Sequence, residues 1–211
     1  MPTTETKTID WEKTISLYNS VKAMYALCEE TDPDLCTNLQ PLNEFRAALD
    51  HLMRIVAIQN LDEYQHKDAV DEARKLQSHL RRAFFDICDM LSINYRSKII
   101  AALKRYDAEC IQSVLPDYYP VMRPRLQEIS ETIATLRTEK RFNSSSEETA
   151  VDEYLKIVKE LKQYYKTVLS ATVSLNELRL KMRVKKAFIY WIIPIGAIVV
   201  GAAIGIIGWF V

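Results

Sequence analysis

The C-terminal end of the sequence constrains the fold more than any other feature. Residues 187–211 read AFIYWIIPIGAIVVGAAIGIIGWFV, without one charged side chain. About 20 consecutive apolar residues are enough for a helix to cross the hydrocarbon core of a bilayer. Tyr190 lies near one end of this run and Trp209 near the other, and aromatic residues are enriched at membrane interfaces. The run therefore predicts a single transmembrane helix that ends the chain as a tail anchor.

A basic cluster precedes this run and predicts how the span is oriented. Basic residues beside a span stay on the cytoplasmic side of the membrane, so we expect a single-pass membrane protein whose N-terminal part is cytoplasmic. The same charges can attract anionic lipid headgroups, which makes the lipid bilayer the first expected partner. The cluster contains no acidic residue and consists of Arg179, Lys181, Arg183, Lys185 and Lys186.

Small residues recur along the predicted span. The sequence GAAIG (201–205) matches the GxxxG pattern, in which small side chains let two membrane helices approach closely. We therefore expect self-association through this face, and if an assembly of such helices encloses a pore, the wall of that pore is apolar. The residues expected to pack are Ala197, Gly201, Gly205 and Gly208.

The rest of the chain predicts an all-α fold. All four glycines lie in the apolar run, so the remaining sequence lacks the residue that most disfavours helix interiors after proline. Basic and acidic residues number 28 each, and a formal net charge of zero excludes a protein drawn to nucleic acid by its overall field. We expect a cytoplasmic helical bundle over 1–142, a stalk helix with a basic end over 143–186 and a transmembrane helix over 187–211.

Two segments of the bundle carry helical apolar stripes. The first runs over 43–59, and the second is a pattern over 67–114 that fits one long helix or two helices with a break near 92–98. The stripe of the first contains Phe45, Leu49, Leu52 and Val56, and the inner face of the second contains Leu76, Leu80, Ala83, Ile87 and Leu91.

The stalk helix carries a heptad pattern, because its apolar residues recur in alternating steps of three and four. We expect this helix to continue into the span with its first kink at Pro194. Two packings are open: against helices of the same chain, or against a second copy in a homo-oligomer. The seam consists of Val151, Tyr154, Val158, Leu161, Tyr165, Val168, Thr172 and Leu175.

Two helical segments of the bundle also carry an arginine four residues before an aspartate. Arg46 and Asp50 form one such pair, and Arg82 and Asp86 form the other. Residues at this spacing lie on one helix face. If the two helices pack antiparallel, Arg46 can reach Asp86 and Arg82 can reach Asp50. We expect an interhelical polar clamp that fixes helix register, with no role for His51.

The sequence RAALDH (46–51) places a histidine five positions after an arginine on a predicted helix. This spacing resembles the R-x4-6-H motif of the HEPN superfamily, with a resemblance in topology that covers about residues 10–115. The resemblance implies a dimeric ribonuclease in which Arg46 and His51 would position and protonate a scissile phosphate. RNA is an expected partner only under this alternative.

A HEPN-like bundle joined to one membrane span is similar in arrangement to the membrane accessory proteins of type VI-B CRISPR antiphage systems. That resemblance implies an oligomer that perturbs a membrane during antiviral defence. We therefore expect a non-enzymatic, membrane-perturbing or pore-forming effector that self-associates and has a possible protein partner in the cytoplasm. The order of bundle, stalk and anchor is also that of a tail-anchored adaptor or SNARE-like protein.

The sequence predicts no cofactor and no metal. The four cysteines form no CxxC pair, and no HExxH, GxSxG or glycine-rich phosphate loop occurs. Without such motifs, the heptad seam and the predicted span are the expected working parts of the chain.

Overall fold

The computed structural model describes residues 9–32, 39–61, 68–139, 147–192 and 194–195. These residues are helical with short connections, and no strand occurs among them, which confirms the predicted all-α class. The helices are α1 (Trp11–Thr31), α2 (Leu39–Asn60), α3 (Ala69–Leu103), α4 (Ala108–Val114), α5 (Arg123–Glu139), α6 (Glu147–Ser170) and α7 (Thr172–Ala187). Two π-helical turns follow α4 and α7, at Tyr118–Met122 and Phe188–Ile192.

Short acidic side chains begin two of the helices. The carboxylate of Asp10 accepts a hydrogen bond from the backbone N–H of Lys13 at the start of α1. Asp68 accepts in the same way from the N–H of Val70, 2.8 Å away, at the start of α3. Both contacts satisfy backbone donors that have no partner inside the helix, so each aspartate fixes where its helix begins.

The membrane prediction concerns the last part of the chain. In the ranges that the structure describes, no helix is sufficiently long and apolar to cross a bilayer. Residues 196–211, which form most of the predicted span, lie outside the described residues.

The chain forms two compact units that are each discontinuous in sequence. The first comprises residues 1–98 and 126–165, and the second comprises residues 99–125 and 166–211. The division of the chain at residues 142 and 186 was predicted from changes in the sequence pattern, whereas these units are defined by compactness. The predicted division stays a prediction.

The inner face of α3 forms the centre of the first unit. Each of its five predicted core residues is at most 5% exposed, which confirms this stripe. Leu76 and Leu80 pack in one cluster with Ala48 and Ile55 of α2. A side chain of this size contributes about 1.5–3 kcal/mol when it is fully buried, so this face stabilises the unit.

Half of the predicted stripe of α2 faces the core. Phe45 and Leu52 are partly buried and pack against the core cluster, as predicted, whereas Leu49 and Val56 are exposed and the positions before them, Ala48 and Ile55, are buried. Because helix residues follow one another at about 100°, this exchange rotates the centre of the buried face by about 50°. This rotation decides which polar residues of α2 face α3.

A buried carboxylate links α3, α5 and α6 within the first unit. Asp89 Oδ2 lies 2.7 Å from Nε of Arg137, and the hydroxyl of Tyr154 donates to Asp89 Oδ1 over 2.7 Å. Tyr154 is fully buried, and burial together with the nearby Asp89 carboxylate raises its pKa. These contacts join segments 48 and 65 residues apart in sequence.

The second unit packs the inner side of α7 against α4 and the segment before it. The hydroxyl of Tyr106 donates to Oδ1 of Asn176 over 2.8 Å, and the thiol of Cys110 contacts the carbonyl oxygen of Leu175. Leu175 is 1% exposed. These contacts fix the rotation of α7 about its own axis.

Two expectations about helix continuity are corrected. The long pattern is interrupted after Leu103 rather than near 92–98, and α4 follows as a separate helix. The stalk is interrupted at Ala171, between α6 and α7, and a π-helical turn at Phe188–Ile192 comes before Pro194. Pro194 is therefore not the first irregularity of the stalk.

Candidate functional site

A reciprocal set of histidine–glutamate pairs joins α2 and α3 in the first unit. Nδ1 of His51 on α2 lies 2.7 Å from Oε2 of Glu72 on α3, and Nδ1 of His79 on α3 lies 2.7 Å from Oε2 of Glu44 on α2. The two imidazole rings stack with their centroids 5.1 Å apart and an angle of 26° between their planes. We call these four residues the His–Glu cluster.

Basic side chains surround the His–Glu cluster on its solvent side. Arg82 Nε lies 3.1 Å from Glu44, and Arg54 Nη1 lies 3.6 Å from Glu72. Lys75 Nζ adds a contact of 3.0 Å with Glu72. Both arginine side chains are about half exposed, so they remain accessible to an anion from solution.

The environment of Glu72 keeps its carboxylate ionised. Burial alone would raise the pKa of Glu72, but hydrogen bonds from His51 and Lys75 outweigh burial and lower this pKa below its ordinary value. When His51 is neutral and its Nδ1–H donates a hydrogen bond to the ionised Glu72, Nε2 is the nitrogen with a free lone pair. This tautomer is the one that a general base requires.

The sequence contains a repeated pattern that marks this site and that differs from the arginine–aspartate spacing used to predict the clamp. The pattern Glu-x-Arg-x4-His-Leu-x-Arg occurs twice, at 44–54 and at 72–82. Because α2 and α3 cross with opposite directions at this point, each glutamate meets the histidine of the other repeat. Glutamate and histidine seven residues apart lie on one helix face, which is why both repeats point into the same contact.

The predicted clamp is replaced by this cluster. Arg46 and Asp50 are exposed, because the buried Ala48 and Ile55 define the opposite face of α2. Arg82 does reach α2, but its partner there is Glu44. The clamp was therefore predicted between the right helices with the wrong residues of α2.

The alternative catalytic pair is separated in the same way. His51 is mostly buried in the His–Glu cluster, whereas Arg46 is exposed on the far side of α2. Arg82 Nη2 lies 2.8 Å from Nδ1 of His79, and Arg54 Nη1 lies 3.6 Å from the Glu72 carboxylate that contacts His51. The second repeat also places Arg74 five positions before His79, so the R-x4-H spacing occurs on both helices.

Replacing Glu72 with glutamine is expected to flatten the acid dependence of stability. A folded pKa below the ordinary value of 4.5 means that Glu72 contributes stability fully above that pH and loses it as the pH falls. Wild type should therefore lose stability steeply below pH 4.5, and the variant should be less stable at neutral pH but less acid-sensitive. Urea unfolding at a series of pH values measures both.

The control for this experiment is Asp50→Asn, an exposed carboxylate of α2. Its acid dependence should match that of the wild type. Equal slopes for Glu72→Gln and the wild type below pH 4.5 would show that the carboxylate of Glu72 is not held by His51 and Lys75.

The heptad seam lies mostly inside the single chain. Tyr154, Val158 and Leu161 are buried in the first unit, and Val168 and Leu175 are buried in the second. Val151, Tyr165 and Thr172 are partly buried. This burial favours packing of the seam against helices of its own chain, the first of the two packings that the sequence left open.

The basic end of α7 is divided between paired and exposed side chains. Lys186 Nζ lies 3.3 Å from Oδ2 of Asp107, and the guanidinium of Arg179 lies 5.9 Å from the ring centre of Tyr106. Lys181, Arg183 and Lys185 are exposed. The residues predicted to pack inside the membrane, Ala197, Gly201, Gly205 and Gly208, lie outside the described residues.

The described residues contain no group of three or more His, Cys, Asp or Glu side chains placed to hold a metal ion. Cys28, Cys88 and Cys110 are buried free thiols. Burial raises the pKa of the Cys28 thiol to about 11, which keeps it protonated and unreactive at neutral pH.

No protein-family model, no curated protein and no solved structure matches this chain. The resemblance to HEPN bundles and to CRISPR accessory proteins stays a prediction.

Proposed function

We propose that this protein is a helical membrane protein that is anchored by residues 187–211, self-associates there and perturbs the bilayer. The observation that carries the proposal is the end of α7 and the π-helical turn after it, where Val184, Phe188 and Tyr190 are all more than half exposed. Large apolar side chains exposed together mark an interaction surface rather than ordinary solvent contact. The uncharged run begins at this point of the chain.

The basic residues of α7 support the same proposal. They directly precede the uncharged run, as cytoplasmic flanks of membrane spans do. The bundle before α7 then lies on the cytoplasmic side, where it is available to a protein partner. Self-association is supported by the GAAIG sequence within the run, because such small residues let helices pack closely in lipid.

Membrane integration and bilayer damage test this proposal. Full-length protein should resist alkaline extraction from membranes and release a dye trapped in reconstituted vesicles. Replacing Gly201 and Gly205 with leucine should preserve integration but weaken both self-association and dye release, because leucine side chains hold the helices apart. The matched control replaces Ile204 and Ile206 with leucine and should release dye as the wild type does.

Alkaline extraction of the wild type would contradict the anchor. Strictly monomeric protein in detergent at every concentration, or dye release unchanged by the glycine substitutions, would contradict self-association and the effector role.

A second candidate function, cleavage of a phosphodiester in RNA, is favoured by one observation. Two histidines meet on neighbouring helices, each beside a glutamate and with Arg54 and Arg82 at the edge of the site. One histidine as base and one as acid is an arrangement that can transfer both protons of such a reaction. Release of fragments from single-stranded RNA by the purified full-length protein tests this candidate.

A further inference from the structure

Helix α7 has two apolar faces, and only one of them is used inside the protein. Leu175 is 1% exposed, whereas Val173, Leu180 and Val184 are 68%, 62% and 70% exposed. At about 100° per residue, these three residues and Phe188 fall on the side opposite Leu175, and so does the exposed Glu177. This side is apolar without interruption only from Leu180 onward, and we call Leu180, Val184 and Phe188 the outer ridge of α7.

The outer ridge cannot turn inward without breaking contacts of the second unit. Asn176 accepts from Tyr106, and Lys186 is paired with Asp107. At about 100° per residue, Lys186 lies on the same side of α7 as the buried Leu175, and Asn176 lies between that side and the ridge. The ridge therefore faces away from the second unit for about two turns of helix, and its exposure follows from the fold.

Exposed basic residues flank the outer ridge. Lys181 lies on one side of it and Arg183 on the other, with Lys185 one turn beyond Lys181. The sequence contains no acidic residue from 178 to 195. An apolar stripe between basic flanks is the pattern of helices that lie in the plane of an anionic membrane surface.

The chain also has a means to change direction after α7. The π-helical turn Phe188–Ile192 follows the helix directly, and Pro194 comes next. Helices bend at π-helical turns and at prolines because the regular backbone hydrogen bonds are interrupted there. A helix in the membrane plane can thus be followed by a segment that enters the bilayer.

We propose that α7 docks along an anionic lipid surface, with the outer ridge at the boundary of the acyl chains and Lys181, Arg183 and Lys185 on lipid phosphates. This inference rests on the proposed membrane anchor and adds to it a second, charge-selective contact. A second copy of the chain fits the ridge less well, because paired ridges would bring basic flanks of like charge together.

Environment-sensitive fluorophores on single cysteines test the docking in the full chain. The sites are Leu180→Cys and Val184→Cys on the ridge and the exposed Ser113→Cys on α4, each combined with Cys36→Ser. The protein is reconstituted into vesicles of phosphatidylcholine alone or mixed with phosphatidylglycerol. We expect blue-shifted emission at 180 and 184, but not at 113, in the anionic vesicles only.

Neutralising the flanks should abolish this shift. The triple variant Lys181→Gln, Arg183→Gln, Lys185→Gln removes three charges, which lowers the ratio of docked to undocked helix by about a hundredfold. The matched control changes three exposed lysines of α6 to glutamine, namely Lys156, Lys159 and Lys166, and should keep the shift.

Each other outcome overturns the inference in a recognisable way. Water-like emission at 180 and 184 in both vesicles, from protein that resists alkaline extraction, leaves the anchor standing and rejects docking of α7. A blue shift in neutral vesicles that grows with the protein-to-lipid ratio assigns the ridge to a second copy. Protein that does not remain with either kind of vesicle rejects the membrane anchor itself.

Discussion

Replacing Asp89 with alanine is expected to lower the free energy of unfolding by about 3 kcal/mol. The carboxylate of Asp89 joins three helices of the first unit through Arg137 and Tyr154, both at 2.7 Å. Its loss removes two charge-assisted hydrogen bonds and takes an acceptor away from the hydroxyl of a fully buried tyrosine. Chemical denaturation measures the change.

A double-mutant cycle separates this contact from general damage to the core. Tyr154→Phe alone should cost about 1.5 kcal/mol, because it removes one partner of a buried hydrogen bond. In the Asp89→Ala background, Tyr154→Phe should lower the free energy of unfolding little further, because the hydroxyl has already lost its acceptor. The coupling energy between the two substitutions should therefore be about 1.5 kcal/mol. Arg137→Ala should cost about 1 kcal/mol, because its side chain is half exposed and water can replace it. Strictly additive effects of Asp89→Ala and Tyr154→Phe would show that the two groups do not interact.

The helical class and the core face of α3 could be predicted from the sequence because both depend on local pattern. The stripe Leu76, Leu80 and Ala83 recurs over several turns with polar residues between its members. The sequence did not determine in the same way which face of α2 is buried. Its apolar residues include neighbours such as Ala48 and Leu49, so two overlapping stripes fit the sequence, and contact with α3 selects between them.

The polar residues of α2 that contact α3 depend on which face of α2 is buried. The pair Arg46 and Asp50 has the spacing of helix neighbours, but the rotation that buries Ala48 turns both side chains to solvent. The same rotation brings Glu44 and His51 to α3. The repeat at 44–54 and 72–82 was the available signal, because a shared pattern on two helices indicates shared surroundings.

The link through Asp89 had no local signal at all. Its partners Arg137 and Tyr154 lie 48 and 65 residues away, and nothing in the sequence near any of them marks the contact. Long-range polar contacts of this kind depend on how helices dock, which a pattern within one helix does not determine.

Under the ribonuclease candidate, replacing either His51 or His79 with alanine is expected to slow RNA cleavage by about 10²–10⁴-fold. Both residues have a glutamate at 2.7 Å and a stacked imidazole, and Nδ1 of His79 also lies 2.8 Å from Nη2 of Arg82. If one ring accepts the proton of the attacking hydroxyl and the other protonates the leaving oxygen, removing either one stops a necessary transfer. Single-turnover cleavage of single-stranded RNA measures the loss.

Arg46→Ala is the matched control, because the spacing RAALDH assigns Arg46 a role whereas the structure exposes it away from the histidines. Its rate should stay within a few-fold of the wild type. Free imidazole should partly restore the alanine variants if the rings transfer protons, and it should not if they only hold α2 against α3. Wild-type rates in both histidine variants would remove the cluster from catalysis. An equal loss in Arg46→Ala would instead favour the arginine–histidine pair within α2 over the reciprocal contact between the helices.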